Sequence, residues 1–220
     1  MMADCARSVV EESTEIVAVT NASGPASIES HYDEALAVPG LLAEIVRGDA
    51  AGVNGFVIGC FGDPGIDAAR EVASGPVVGI AEAAFHVASM LGRSFSIVTT
   101  LARTIGQAEH LVQRYGFAAR CRSIYACEVP VLGLHEPASD ARKIVINHCR
   151  RAVEFDEADS VVLGCAGMSD FCTDVSEQVG VPVIDGVTAA VALVESMVKL
   201  GLRTSTRSEY APPLTKTYLL

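Results

Sequence analysis

The sequence predicts an α/β protein built as two pseudo-symmetric lobes, each a parallel sheet flanked by helices, with the active site in the cleft between them. Three observations predict it. Short β-branched runs alternate with helix-period stretches along almost all of the 220 residues, the links between them are short, and one strand–turn–helix–strand unit occurs twice.

Taken in order, the chain offers a helix near 2–12, a strand-like run Glu15 to Thr20 and a helix near 31–48. Strand runs follow at Val53 to Cys60, Pro76 to Ile80 and Phe95 to Thr100, with a helix at 103–116 whose Ile105, Ala108, Leu111, Val112 and Tyr115 share one face. Arg122 to Val131 is a weaker strand. The helix at 140–158 presents Ile144, Val145, Cys149, Ala152 and Val153 on one face, and strands Ser160 to Cys165 and Val181 to Ile184 complete the series. Gly92, Gly116, Gly180 and Gly201 stand where helices should stop.

The repeat is the more informative feature. Gly55-Phe56-Val57-Ile58-Gly59-Cys60, a Gly-rich turn, a helix, Pro76-Val77-Val78-Gly79 and Ala83-Ala84 return as Ser160-Val161-Val162-Leu163-Gly164-Cys165, a turn, a helix, Pro182-Val183-Ile184-Asp185-Gly186 and Ala189-Ala190. Cys60 precedes Pro76 by 16 residues and Cys165 precedes Pro182 by 17, so the copies run in register with one gap. The expected lobes are 1–92 with 187–220, and 93–186. In that register the counterpart of strand 95–100 is missing from the first lobe, so the sequence is expected to begin inside what would be its first helix.

Composition bounds the function. Half of the residues are hydrophobic, which excludes a disordered chain, and runs such as Val187 to Val194 fall far short of a membrane span of roughly 20 residues. A net charge of −11 without any Lys/Arg block argues against nucleic acid or an anionic membrane as partner. Seven cysteines, an odd number, with no signal peptide at the N-terminus, point to a reducing, cytoplasmic setting. There is no Cys-x-x-Cys and no closely spaced histidine pair, so no metal site is expected.

Two thiols stand out because the repeat places them alike. Cys60 and Cys165 each end a parallel strand, where ligands bind in such sheets, and each precedes a glycine-containing turn and a helix. Backbone N–H groups there are expected to lower a thiol pKa from the free value of about 8.5. A pseudo-twofold would set two sulfurs on opposite sides of one cleft. That suits a reaction with mirror symmetry, in which one thiolate takes a proton from a carbon acid and the opposite thiol delivers one to the other face. Cys5, Cys121, Cys127, Cys149 and Cys172 have nothing comparable and read as packing residues.

Several segments carry a resemblance: Gly59-Cys60-Phe61-Gly62-Asp63-Pro64-Gly65, Pro76-Val77-Val78-Gly79-Ile80-Ala81-Glu82-Ala83-Ala84, Ser96-Ile97-Val98-Thr99-Thr100, Val162-Leu163-Gly164-Cys165-Ala166-Gly167-Met168 and Val181-Pro182-Val183-Ile184-Asp185-Gly186. With Ser27-Ile28-Glu29, His31-Tyr32-Asp33-Glu34-Ala35 and Gly201-Leu202-Arg203-Thr204-Ser205, the chain resembles, end to end, the hydantoin racemases of the aspartate/glutamate racemase superfamily. The resemblance implies cofactor-independent racemisation of 5-monosubstituted hydantoins, with Cys60 and Cys165 as the two bases, a small-molecule substrate of hydantoin or allantoin type, and a homo-oligomer. One departure stands beside it. The family's opening strand ends in an Asn-Pro-Asn-Ser/Thr turn at the active site, and that motif is absent here.

Around the thiols, the backbone N–H groups of Phe61, Gly62, Ala166 and Gly167 are candidate donors to a ring carbonyl oxygen as it becomes enolate-like. Thr99 and Thr100 either join them or cap the helix near 103, with neither reading preferred. Ile80 ends another strand toward the cleft. Glu82 and Asp185 each either contact the ring or cap a helix. His31, His86, His110, His135 and His148 read as structural or exposed. Among rival functions, a nicotinamide enzyme would need G-x-G-x-x-G, whereas Gly59, Gly62 and Gly65 give G-x-x-G-x-x-G with a proline inside. A cysteine hydrolase would prefer a G-x-C-x-G elbow, and residue 58 is Ile. Within the superfamily, arylmalonate-type decarboxylases use one cysteine and fit poorly. An allantoin racemase, an Asp/Glu-type amino-acid racemase and, outside enzymes, a thiol redox or small-molecule-binding protein remain as alternatives.

Overall fold

The computed structural model describes residues 1–136 and 139–217. The first part of the chain forms α1 (Met2–Arg7), α2 (His31–Ala50), β1 (Phe56–Ile58), α3 (Ile66–Val72), β2 (Val77–Gly79) and α4 (Ile80–Leu91). The second forms β3 (Phe95–Thr99), α5 (Ile105–Arg114), β4 (Cys121–Ala126), α6 (Ala141–Glu154), β5 (Ser160–Gly164), α7 (Cys172–Val179), β6 (Val183–Asp185) and α8 (Gly186–Lys199). Short 3-10 turns occur at Ala102–Thr104, Val131–His135, Ala166–Phe171 and Ser208–Tyr210.

Every strand pairing is parallel, as the alternation with helices requires. One sheet holds β1 and β2; the other has the order β4-β3-β5-β6. Strands β3 and β5 lie at the centre of the larger sheet with every residue buried, which is why they read as unbroken apolar runs. At the sheet edge, β4 is mostly half-exposed, which explains its weaker signal.

The run Glu15 to Thr20 is not a strand, which corrects the sequence reading. Its repeat counterpart is β4, which is held by β3. Among the described residues no strand occupies the place of β3 beside β1, so 15–20 has no ladder to join, and Val17 and Val19 stay exposed. Strand propensity reports fit to a pleated, half-buried surface, and that surface is missing.

Helices α4 and α8 follow the last strands of the two sheets and pack along each other. Small residues make this close approach feasible: Ala81, Ala83, Ala84 and Ala88 of α4 and Ala190 of α8 are buried, with Val187, Val191 and Val194. A Cβ at Gly186 would overlap the carbonyl oxygen of Ile80, so the N-termini of the two helices abut. Phe85 of α4 anchors an aromatic cluster, stacked on Phe95 at 5.5 Å and set edge-on to Phe61 at 5.7 Å. Gly116, Gly180 and Gly201 adopt positive φ at helix ends, as expected; Gly92 is extended instead.

Candidate active site

Both singled-out thiols lie just past the carboxyl ends of parallel strands, Cys60 after β1 and Cys165 after β5. The sulfur of Cys165 accepts the Gly167 N–H at 3.4 Å and so opens the turn Ala166–Phe171. The Gly62 N–H plays the same part for Cys60, whose carbonyl accepts the Asp63 N–H at 3.0 Å. Cys60 lies within electrostatic reach of Cys165.

The expectation of lowered thiol pKa values is corrected. Burial pushes Cys60 up to about 12 and Cys165 up to about 11, outweighing the lowering by the Gly62 and Gly167 N–H groups. Both rest as neutral thiols.

The remaining predicted positions fall into distinct roles. The Phe61 ring enters the aromatic core, leaving only its backbone for a ligand. Gly62 lies under Gln107 of α5, whose amide donates to Glu34 at 2.6 Å. Ala166 is buried, and Gly167 packs near Leu134. Thr99 and Thr100 are buried; the Thr99 hydroxyl bonds Thr104 at 3.0 Å and the Gly164 carbonyl at 3.3 Å. Leu101 leads into the following turn and no threonine side chain caps it. Ile80 is the first residue of α4 and is buried. Glu82 pairs with Arg70 at 2.6 Å, and Asp185 caps α8 through the N–H groups of Val187 and Thr188.

Four further residues were not singled out from the sequence. Asp63 is buried in the turn after Cys60, and burial pushes its carboxyl up to about 6 against bonds from Ala81, Glu82 and Tyr115. Ser169 lies in the turn after Cys165 and bonds Asp185. Glu29 accepts the Val131 N–H at 2.7 Å, and its charge reaches Cys165. One histidine also meets a cysteine turn: the His135 Nε2 is 2.7 Å from the Gly167 carbonyl. Asp63 and Ser169 lie in the two repeated turns, but not at matching positions, so the repeat did not single them out. A cavity of about 550 Å³ adjoins the Cys60 turn, lined by His31, Glu34, Gly62, Asp63, Gln107 and His110 among others, and neither thiol lines it. No cluster of His, Cys, Asp and Glu among the described residues could hold a metal.

Residues 1–194 match the family model described as Asp/Glu/Hydantoin racemase. The chain belongs to that family. It is therefore a racemase, an isomerase, and its curated relatives agree. It is 47% identical to a hydantoin racemase of Rhizobium meliloti over 203 residues, covering 92% of this chain and 84% of that protein. It is 45% identical to a hydantoin racemase of Pseudomonas sp. (strain NS671) over 214 residues, covering 97% and 86%. Among solved structures, the racemase superposes on an allantoin racemase from Klebsiella pneumoniae with a TM-score of 0.97 and 47% identity, covering 99% of this chain and 89% of that one. No helix among the described residues is long and apolar enough to cross a membrane.

Proposed function

We propose that this racemase inverts the C5 centre of 5-monosubstituted hydantoins, with Cys60 and Cys165 as a pair of bases facing a cleft between the lobes. The observation that carries the reading is the duplicated strand end: two thiols in equivalent places, each with a glycine N–H on its sulfur and within electrostatic reach of one another. The relatives' substrates support the ring class.

In the proposed step one cysteine, as thiolate, takes the C5 proton, and the electron pair moves into the adjacent ring carbonyl, giving an enolate. The opposite thiol then gives its proton to the other face of C5 as the enolate collapses. The enantiomer forms, and the two sulfurs have exchanged protonation states. The ring carbonyl and nitrogen acidify the carbon–hydrogen bond, so the chemistry calls for no cofactor. Backbone N–H groups of Phe61 and Ala166 are candidate donors to the carbonyl oxygen.

Allantoin, a hydantoin with a ureido substituent, is the second reading, favoured by the superposition on a solved allantoin racemase. Optical rotation and deuterium incorporation from solvent, followed with pure enantiomers of a 5-alkylhydantoin and of allantoin, test both. Cys60→Ala and Cys165→Ala should each lose useful racemisation. Near-normal racemisation by either variant would sink the two-base reading.

A further inference from the structure

We propose that Asp63 and Asp185 are equivalent positioning residues, each latching the turn behind one cysteine to the N-terminus of the helix at the lobe junction, with the carboxylate supplied from opposite ends of the link. In the first lobe Asp63 lies in the cysteine turn, and its Oδ1 accepts the Ala81 N–H at 3.0 Å while Oδ2 accepts the Glu82 N–H and the Tyr115 hydroxyl, each at 2.9 Å. In the second lobe the carboxylate stands at the helix end: Asp185 Oδ1 accepts the Val187 N–H at 3.0 Å and Oδ2 the Thr188 N–H at 2.9 Å. The cysteine turn contributes Ser169, whose Oγ is 2.6 Å from Asp185 Oδ1.

The register of the repeat shows that this is an exchange of position. Gly79 is the counterpart of Asp185. A Cβ at Gly79 would overlap the Asp63 carboxyl group, so the Asp63 carboxylate fills the place where a side chain at 79 would begin. Asp63 with Gly79 therefore does what Ser169 with Asp185 does. Each latch answers two helix-terminal N–H groups that have no intrahelical partner, and does so with a buried carboxyl group. Asp63 holds φ at +45°, in the left-handed region that aspartate enters more readily than most residues with a side chain, and three bonds to its carboxylate sustain it. Both helices meet at Gly186 and Ile80, so the latches tie both sulfur-bearing turns to one junction. Misplacing a reacting group by about 1 Å costs on the order of 100-fold in rate.

The inference rests on the two-base reading, and its test separates the two. Asp63→Ser should lower kcat by roughly 10- to 100-fold with little change in KM. Moving the carboxylate in the double variant Asp63→Ser/Gly79→Asp should recover at least about tenfold of that loss. Gly79→Asp alone should not fold well, since two carboxyl groups would compete for one space. With each enantiomer in deuterated buffer, inversion must slow equally in both directions because the equilibrium constant is one, but Asp63→Ser should depress exchange with retention, read as deuterium at C5 of uninverted substrate, more for the enantiomer whose proton faces Cys60 than for its mirror image. Ser169→Ala, which removes the contacts of this hydroxyl with Asp185 and with the Ala166 carbonyl but leaves the α8 cap in place, should show the opposite bias. If Cys60→Ala and Cys165→Ala are inactive, yet Asp63→Ser keeps the wild-type kcat or Asp63→Ser/Gly79→Asp recovers nothing, the latch is wrong and the two-base reading stands. Equal depression of exchange with retention for both enantiomers in Asp63→Ser and in Ser169→Ala would likewise overturn it.

Discussion

A buried thiol must lose its proton before it can act as a base, and at Cys60 and Cys165 burial opposes that loss. Below both thiol pKa values, about 12 and 11, the thiolate fraction rises tenfold per pH unit. We therefore expect log kcat/KM for racemisation to climb with a slope near one between about pH 6 and 8; a flat profile over that range would mean that a thiolate is already formed. Asp63 carries the converse lesson for stability. Its folded-state carboxyl, at about 6, lies above the usual aspartate value, so its contribution is fully present below about pH 4 and is lost as pH rises through 6. The unfolding free energy of wild type minus that of Asp63→Asn should fall across this window by on the order of 1–3 kcal/mol, as read by urea titrations at each pH. A rise instead would reverse the assigned cause. Of these residues, the placement of the two cysteines after equivalent strand ends was legible from the repeat alone. Asp63 was not, because its counterpart by function is displaced to another position, and Glu29 was not, because its partner Val131 is 102 residues away in the chain.

At the scale of elements, legibility followed burial. Strands β3 and β5 are buried on both faces and helices α5 and α6 on one, so their periods stand out locally. Segment 15–20 has the same β-branched character, but a strand exists only in the presence of a neighbour, and that information is not local. The consequence is an exposed β-prone stretch, together with a two-stranded sheet whose edges carry no further strand among the described residues. Such surfaces promote pairing between chains. Val17 and Val19 are 62% and 58% exposed, so Val17→Lys/Val19→Lys should leave the melting temperature nearly unchanged and lower concentration-dependent light scattering. Unaltered scattering would show that this segment does not drive self-association.

At the scale of the whole molecule, one junction serves both halves. Helices α4 and α8 are each continuous with a strand of a different sheet, and they abut where Gly186 meets Ile80. A methyl group at 186 has no flexible side-chain end to displace, meeting the carbonyl group and Cβ of Ile80, so Gly186→Ala must push the two helices apart. We expect it to destabilise the fold by about 1–3 kcal/mol and, unlike the latch variants, to depress C5 exchange for both enantiomers alike, because both sulfur turns hang from the displaced junction. Gly106→Ala supplies the contrast: its Cβ would meet nothing within 4 Å inside α5, and alanine there should add up to about 1 kcal/mol through helix propensity. If Gly186→Ala left stability and exchange at wild-type levels while Gly106→Ala behaved as expected, α4 and α8 would have room to separate freely, and the junction could not be what sets the relative position of the two thiols.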